Sequence, residues 1–117
     1  MTHRIRFLLA AVIVGLSVTP TASPHVTYEQ ITVATSSIGI TATITNPTGY
    51  PQQNTCVLRL ETAQVRYRTD GTAPSSTVGT PLEIGDVLVI TTNEDARRVR
   101  FIRTGATSGL LNAECYR

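Results

Sequence analysis

Aromatic side chains are scarce in this sequence, which contains no tryptophan and only 5% aromatic residues in 117 positions. Carbohydrate-binding surfaces usually display Trp or several Tyr side chains as stacking platforms. The composition therefore favours a rigid Thr-rich scaffold over a carbohydrate platform. Lysine is missing altogether, and the sequence offers no physical account of that absence.

An excess of basic residues is also lacking once the N-terminal segment is set aside. The chain has 10 Lys plus Arg and 8 Asp plus Glu, and Arg4 and Arg6 lie near the start. Eight arginines then balance eight acidic residues in the rest of the chain. A general nucleic-acid binder needs a basic patch or stripe, so no nucleic-acid partner is expected.

Histidine is nearly absent, because the chain has only His3 and His25, and both precede the first expected strand. A Ser-His-Asp or Cys-His nucleophile system cannot then form within the β body. Two cysteines, with no histidine in the expected β domain, cannot fill a tetrahedral zinc site. We expect a non-enzymatic protein without a cofactor or metal.

Carboxylates are the remaining candidates for catalytic or metal-binding residues. Glycosidases need two facing carboxylates, but every acidic candidate lies at a predicted turn, where such residues are common anyway. The candidates are Asp70, Glu83, Asp86, Glu94 and Asp95. Weak calcium binding by the loops of Asp70 and Asp86 is an alternative to the turn-forming role that we favour.

No apolar run is long enough to span a bilayer comfortably. Residues 7–18 follow two arginines and have the length and character of a signal-peptide h-region. We interpret residues 1–24 as a signal-peptide-like segment. A retained N-terminal arm, or a start codon placed too far upstream, are the alternatives. A membrane contact is expected only if the segment is kept as an anchor.

From residue 25 to residue 117, the pattern predicts one β domain. Short stretches alternate polar and apolar residues and are separated by Gly, Pro, Asn and Asp. The length allows one domain. Strands are predicted at residues 28–34, 38–44, 55–61, 65–68, 86–92, 98–103 and 110–116. The expected fold class is all-β, a single antiparallel β-sandwich or jelly-roll-like domain of seven or eight short strands.

Turn residues punctuate the middle of the chain. Asp70-Gly71 supplies a position with positive φ, and the Asp side chain can bond its own local backbone. Pro74, Pro81 and two glycines, Gly79 and Gly85, are predicted to keep the dozen residues after this turn out of regular structure. Asn93-Glu94-Asp95 is predicted to form another turn.

Outward-facing arginines are the candidate binding residues. Alternation places Arg66 and Arg68 on one strand face, Arg98 and Arg100 on another, and Arg59 outward on its own strand. Arginine suits bidentate contacts to carboxylates or carbonyls of a protein partner. An ordinary solvated strand face is the alternative interpretation for each of them.

The two cysteines are predicted to point inward from the third and last strands. Cys56 and Cys115 would form a disulfide in an oxidising compartment, closing a loop of about 60 residues. Two free thiols used as small core side chains are the other possibility. The sequence leaves both open.

A family resemblance runs from Tyr28 to the C-terminus. Its motifs lie at residues 31–33, 39–41, 65–74, 79, 82, 85–86 and 101–103, with a closing strand near Tyr116. Their order resembles small structural proteins encoded by tailed bacteriophages and prophages, and residues 67–74 are the most specific piece. Chitobiase-type C-terminal sandwich modules carry a similar Thr-Asp-Gly-x-x-Pro turn. Family members usually begin near the first strand, so the apolar N-terminus departs from the pattern.

The resemblance implies a non-enzymatic virion component, specifically a capsid decoration (cement) protein on the capsid surface. Its partners would be the phage major capsid protein and further copies of itself. The alternative is a secreted or periplasmic adhesion or carbohydrate-associated β-sandwich module, exported by the N-terminal segment.

Overall fold

Seven strands and two short helices make up the part of the chain that the computed structural model describes, residues 25–117. The prediction of a signal-peptide-like segment at residues 1–24 lies outside the described residues. In chain order the elements are β1 (Thr27–Val33), α1 (Ala42–Thr45), β2 (Thr55–Thr62), β3 (Val65–Arg68), β4 (Thr80–Leu82), β5 (Val87–Ile90), α2 (Asn93–Arg98), β6 (Arg100–Arg103) and β7 (Gly109–Tyr116).

The strands form two antiparallel sheets. The larger sheet has the order β1-β7-β2-β5, and the smaller sheet has the order β4-β3-β6. The predicted all-β antiparallel sandwich is confirmed. Its larger sheet joins strands distant in sequence, since β1 pairs over its whole length with the last strand, β7. The prediction of irregular structure around Pro81 is wrong, because Pro81 lies in β4, an edge strand paired with β3, and edge strands tolerate proline.

The core lies between the sheets and follows from period-2 alternation. In β2, Cys56, Leu58 and Leu60 are fully buried, whereas Arg59 and Glu61 are exposed. Successive side chains of a strand point to opposite faces, so one apolar face is enough to fix the strand's orientation. Phe101 of β6 is the largest fully buried side chain among the described residues and comes from the opposite sheet.

The chain passes from the larger to the smaller sheet immediately after β2. A register irregularity lies between Leu60 and Thr62, and Ala63 takes a positive φ of 43°. The two sheets come very close here, since a Cβ added at Gly109 would lie 2.5 Å from Cγ1 of Val65. This short passage turns β3 away from β2 and into the second layer.

One predicted strand is wrong. Within residues 38–44, Ile38 makes only an isolated bridge to Phe101, and a short helix begins at Ala42. Tertiary contacts override the local preference for extended structure: the Glu29 carboxylate accepts hydrogen bonds from the backbone N–H of Thr41 (2.7 Å) and from its hydroxyl (2.6 Å).

The predicted turn at Asn93-Glu94-Asp95 is also wrong, because these residues begin helix α2. The Thr92 side chain caps the helix by accepting a hydrogen bond from the backbone N–H of Asp95 at 3.2 Å. Arg98 consequently ends this helix, and β6 starts at Arg100. The two arginines therefore do not share a strand face as predicted.

Neither helix among the described residues has the length and apolar character needed to cross a bilayer.

Candidate functional site

Three arginines share the outer side of the smaller sheet. Arg66 and Arg68 of β3 lie opposite Ile102 and Arg100 of β6, respectively. Opposite residues of an antiparallel pair project to the same side. The neighbouring Phe101 is buried in the core, so these side chains point away from it. We call Arg66, Arg68 and Arg100 the arginine face.

Arg68 is held by Asp70 two residues later. Its Nε donates to Oδ1 of Asp70 at 3.1 Å, and a guanidinium nitrogen contacts Oδ2. These hydrogen bonds lower the pKa of the Asp70 carboxyl, with a further contribution from the backbone N–H of Thr72, and they raise the pKa of Arg68. Asp70 offsets the charge of Arg68, so Arg66 and Arg100 leave the face positive.

The turn after β3 is built by two residues. Gly71 has φ 83°, in the left-handed region that glycine adopts readily. Oδ1 of Asp70 accepts a hydrogen bond from the backbone N–H of Thr72 at 3.1 Å, which closes an Asx turn. Asp70 thus orients both the turn and Arg68.

The connecting loop, residues 69–79, is tied to the outer side of the smaller sheet. Pro74 is buried although its neighbours are exposed. Arg66 Nη1 donates to the Gly79 carbonyl at 2.6 Å, so Arg66 is not a freely solvated side chain. Its Nε is buried without a hydrogen-bond partner among the described residues. The loop is therefore fixed at its middle and at its end.

Ser75 and Val78 complete the loop and were missed by sequence reasoning. The Ser75 hydroxyl accepts from the backbone N–H of Val78 at 2.9 Å, and the two residues also exchange backbone hydrogen bonds. A loop serine whose hydroxyl can reach the backbone N–H of a nearby later residue favours an ST turn. Ser75 was therefore the sequence signal for this turn. Val78 is 53% exposed, so the turn presents an apolar side chain to solvent.

Two open grooves flank the connecting loop. One has a volume of about 460 Å³ and is lined by residues that include Tyr67, Asp70 and Val78. The other has about 470 Å³ and lies between Pro74 and Ile102. Both are surface depressions of mixed polarity, which suit contact with a protein surface.

The remaining predicted arginines lie elsewhere. Arg59 is exposed on the outer side of the larger sheet, across the core from the arginine face. Arg98 ends α2 and pairs with Glu94 at 3.1 Å. Only three of the five candidates are therefore brought together.

The other predicted turn residues lie between β4 and β5. Gly85 has φ 85°, and Oδ2 of Asp86 accepts from the backbone N–H of Glu83 at 2.9 Å. The carboxylates of Asp70 and Asp86 each bond within their own turn. The described residues contain no group of three or more His, Cys, Asp or Glu that could hold a metal ion.

Cys56 and Cys115 are joined in a disulfide that links β2 to β7. They are directly opposite in the ladder, with Cα atoms 4.1 Å apart, and both are fully buried. The free-thiol interpretation therefore does not describe this structure. Closing a loop over a separation of 59 residues stabilises the fold by about 4 kcal/mol in the chain-entropy model.

The comparisons with known proteins add no family to this description. No protein-family model matches the sequence, and no curated protein or solved structure shows a significant match to it. The fold and the site define an all-β sandwich protein with a braced, positively charged face.

Proposed function

We propose that this protein is a non-enzymatic structural component of a tailed-bacteriophage virion, a decoration protein that binds the assembled shell and stabilises it. Its contact surface is the arginine face together with the connecting loop. Its partners are the capsid protein and neighbouring copies of itself. The proposal combines the motif resemblance of residues 28–116 with the geometry of this one surface.

The observation that carries the proposal is the bracing of the connecting loop on the arginine face. Arg66 holds the loop's end through Gly79, Asp70 closes its start, and Pro74 in its middle is buried. A surface that is already ordered loses little conformational entropy on binding. Preorganisation of this kind favours protein recognition by the loop.

The positive charge of the arginine face indicates the kind of partner surface that it would bind. Arg68 and Arg100 lie opposite each other, and of these two only Arg68 has an acidic partner among the described residues. Like charges placed directly opposite are unfavourable in an isolated sheet. An acidic patch on a partner would relieve this repulsion and accept bidentate arginine contacts.

A decoration protein does not need high affinity at each site. Contacts repeated on a lattice raise the overall avidity without any new interaction, provided that the geometry lets them form together. A modest surface such as the arginine face is therefore sufficient when many copies cover a shell.

Co-sedimentation with purified shells that lack the protein tests the proposal. Arg100→Glu should reduce the bound fraction, and its fold should persist because the change removes the repulsion with Arg68. Arg59→Glu is the matched control, since it reverses an exposed strand arginine on the opposite sheet. It should bind like the wild type.

Two results would contradict this assignment. Equal loss of binding by both variants would mean that net charge, and not the arginine face, governs attachment. Failure of the wild-type protein to sediment with shells would remove the decoration function itself.

The disulfide is equally compatible with a second candidate function. Disulfides persist in secreted and periplasmic proteins as well as on virion surfaces, and the Cys56–Cys115 bond fits each of these settings. A secreted or periplasmic adhesion module would also be a small, rigid β-sandwich. The protein would then be found in the exported fraction and not in particles.

A further inference from the structure

Each sheet has two edge strands, and three of the four edges are protected. The edge at β1 is flanked by residues 41–45, through hydrogen bonds from Thr41 to Glu29 and from Thr27 to the Ile44 carbonyl. The edge at β4 carries Pro81, which has no N–H to offer.

The third edge, at β6, is also occupied. Ile38 exchanges backbone hydrogen bonds with Phe101 at 2.7 and 3.0 Å, and the N–H of Arg103 donates to the Ala34 carbonyl at 3.1 Å. Free strand edges are sites of pairing with other chains, and proteins usually block them with such devices.

The edge at β5 has no comparable device among the described residues. Residues 87–90 have the sequence Val-Leu-Val-Ile, without charge, proline or a bulge, and the only irregularity near them in the described part of the chain is at Gly85 and Asp86, which both bond Leu60 just before the strand. The N–H of Leu60 donates to the Asp86 carbonyl at 3.2 Å, which fixes the hydrogen-bonding parity of the ladder with β2. Leu88 and Ile90 therefore bond to β2, and the backbone N–H and C=O groups of Val87 and Val89 point to the open edge.

Apolar side chains accompany this open edge. Val87 is 44% exposed and Val89 is 54% exposed, and both project from the outer side of the larger sheet. Val57 of β2 lies directly opposite Val89 on the same side. The open backbone groups and the exposed valines thus belong to one site, which we call the β5 edge.

We propose that the β5 edge pairs antiparallel with the β5 edge of a second copy of this chain, joining two larger sheets into one eight-stranded sheet across a two-fold axis at Leu88. This inference goes beyond the proposed function and rests on the edge alone. It is an isologous contact, in which both copies use the same surface.

The second copy is the occupant because the edge is self-complementary. The open backbone groups belong to residues 87 and 89, and a two-fold axis at Leu88 sets Val87 opposite Val89 of the second copy. The N–H and C=O groups of both residues in both copies are then paired in four hydrogen bonds. On the outer side, Val57 and Val89 continue into Val87 of the second copy as one apolar row. Asp86 falls opposite Ile90, so no like charges meet in this register.

Sedimentation velocity of the full chain over a range of concentrations tests the pairing. The wild type should dimerise reversibly at micromolar concentration. Val89→Lys should weaken dimerisation by at least about tenfold, since it introduces a charge into the apolar row in both copies. Thr32→Lys is the matched control, because Thr32 is exposed on the same side of the sheet at the protected β1 edge. It should leave dimerisation unchanged.

A cross-link provides a second measurement that does not depend on how Val89→Lys folds. The axis makes Leu88 its own partner in a non-hydrogen-bonded pair, the same kind of pair that holds Cys56 and Cys115. Leu88→Cys should therefore give a covalent dimer on oxidation, and Thr32→Cys should not. A wild type that stays monomeric, a dimer that Val89→Lys leaves intact, or a Leu88→Cys protein that does not cross-link would each overturn the proposal.

Discussion

Gly71 has a positive φ of 83°, and a Cβ placed there would contact no atom within 4 Å. Gly71→Val should therefore destabilise the protein through backbone strain alone, by about 1–2 kcal/mol. Gly105→Val is the control, because its Cβ would also meet open space but its φ lies outside the left-handed region. That variant should stay within about 0.5 kcal/mol of wild type. Chemical denaturation measures both, and equal stability of the two variants would contradict the strain.

The pKa of the Asp70 carboxyl is lowered in the folded protein. Hydrogen bonds from Arg68 and from the Thr72 N–H lower its pKa. A group whose folded pKa is lowered contributes stability above its unfolded pKa, which is about 3.9 for Asp, and that contribution is lost as the pH falls through the folded value. NMR titration of the side-chain carboxyl should therefore give a midpoint below the ordinary Asp range. Arg68→Gln should raise the midpoint, and a midpoint at or above the ordinary value in the wild type would contradict the ion pair.

At the scale of elements, Asn93 joins the two helices. Its side-chain amide donates to the carbonyls of Thr45 (3.1 Å) and Gln53 (2.8 Å) and to Oδ1 of Asn46 (3.2 Å). The Thr45 carbonyl also accepts from the Gln53 N–H, so it keeps a partner when Asn93 is removed. The Gln53 carbonyl has no other partner among the described residues.

Asn93→Ala should consequently cost about 1–3 kcal/mol, the penalty for a buried unpaired carbonyl. Glu94→Ala, one position along, removes only an exposed ion pair with Arg98 and should cost no more than about 0.5 kcal/mol. Thermal or urea unfolding of the two variants compares them directly. Equal destabilisation would show that Asn93 does not link α1 to α2.

The strands were predictable where burial alternates, as in β2 and β7, since one apolar face decides their orientation. Helix α2 was missed because Asn93 and Asp95 are also turn formers. Its signal was nevertheless present, as Thr92 is followed three residues later by Asp95 and then by Arg97 and Arg98.

Helix α1 had no local signal. Its four residues include two threonines and an isoleucine, and the side chain of its N-cap residue, Thr41, makes no hydrogen bond to the helix backbone. The helix depends on contacts with β1, such as the hydrogen bond from the Thr27 hydroxyl to the Ile44 carbonyl at 2.7 Å. Such contacts cannot be read from a single sequence, because they join residues from different elements.

The candidate site was predictable only where it depends on local sequence. Alternation gave the outward direction of Arg66 and Arg68, and composition gave the turn at Asp70-Gly71. The opposition of Arg68 and Arg100 depends on strand pairing between β3 and β6. The bond from Arg66 to the Gly79 carbonyl depends on how the connecting loop folds back.

At the scale of the whole molecule, the sandwich separates two surfaces. The arginine face and the connecting loop lie on the smaller sheet, and the β5 edge belongs to the larger sheet. A shell-binding protein could therefore bind its lattice with one sheet and a second copy with the other. The two contacts can be disrupted independently, by Arg100→Glu and by Val89→Lys.

Quantitative mass spectrometry of particles purified from the native source tests whether the protein belongs to the virion. Peptides from residues 25–117 should accompany the shell protein through purification and be present in many copies per particle. Their absence from particles, with recovery in the exported or periplasmic fraction, would contradict a virion role and favour the adhesion module instead.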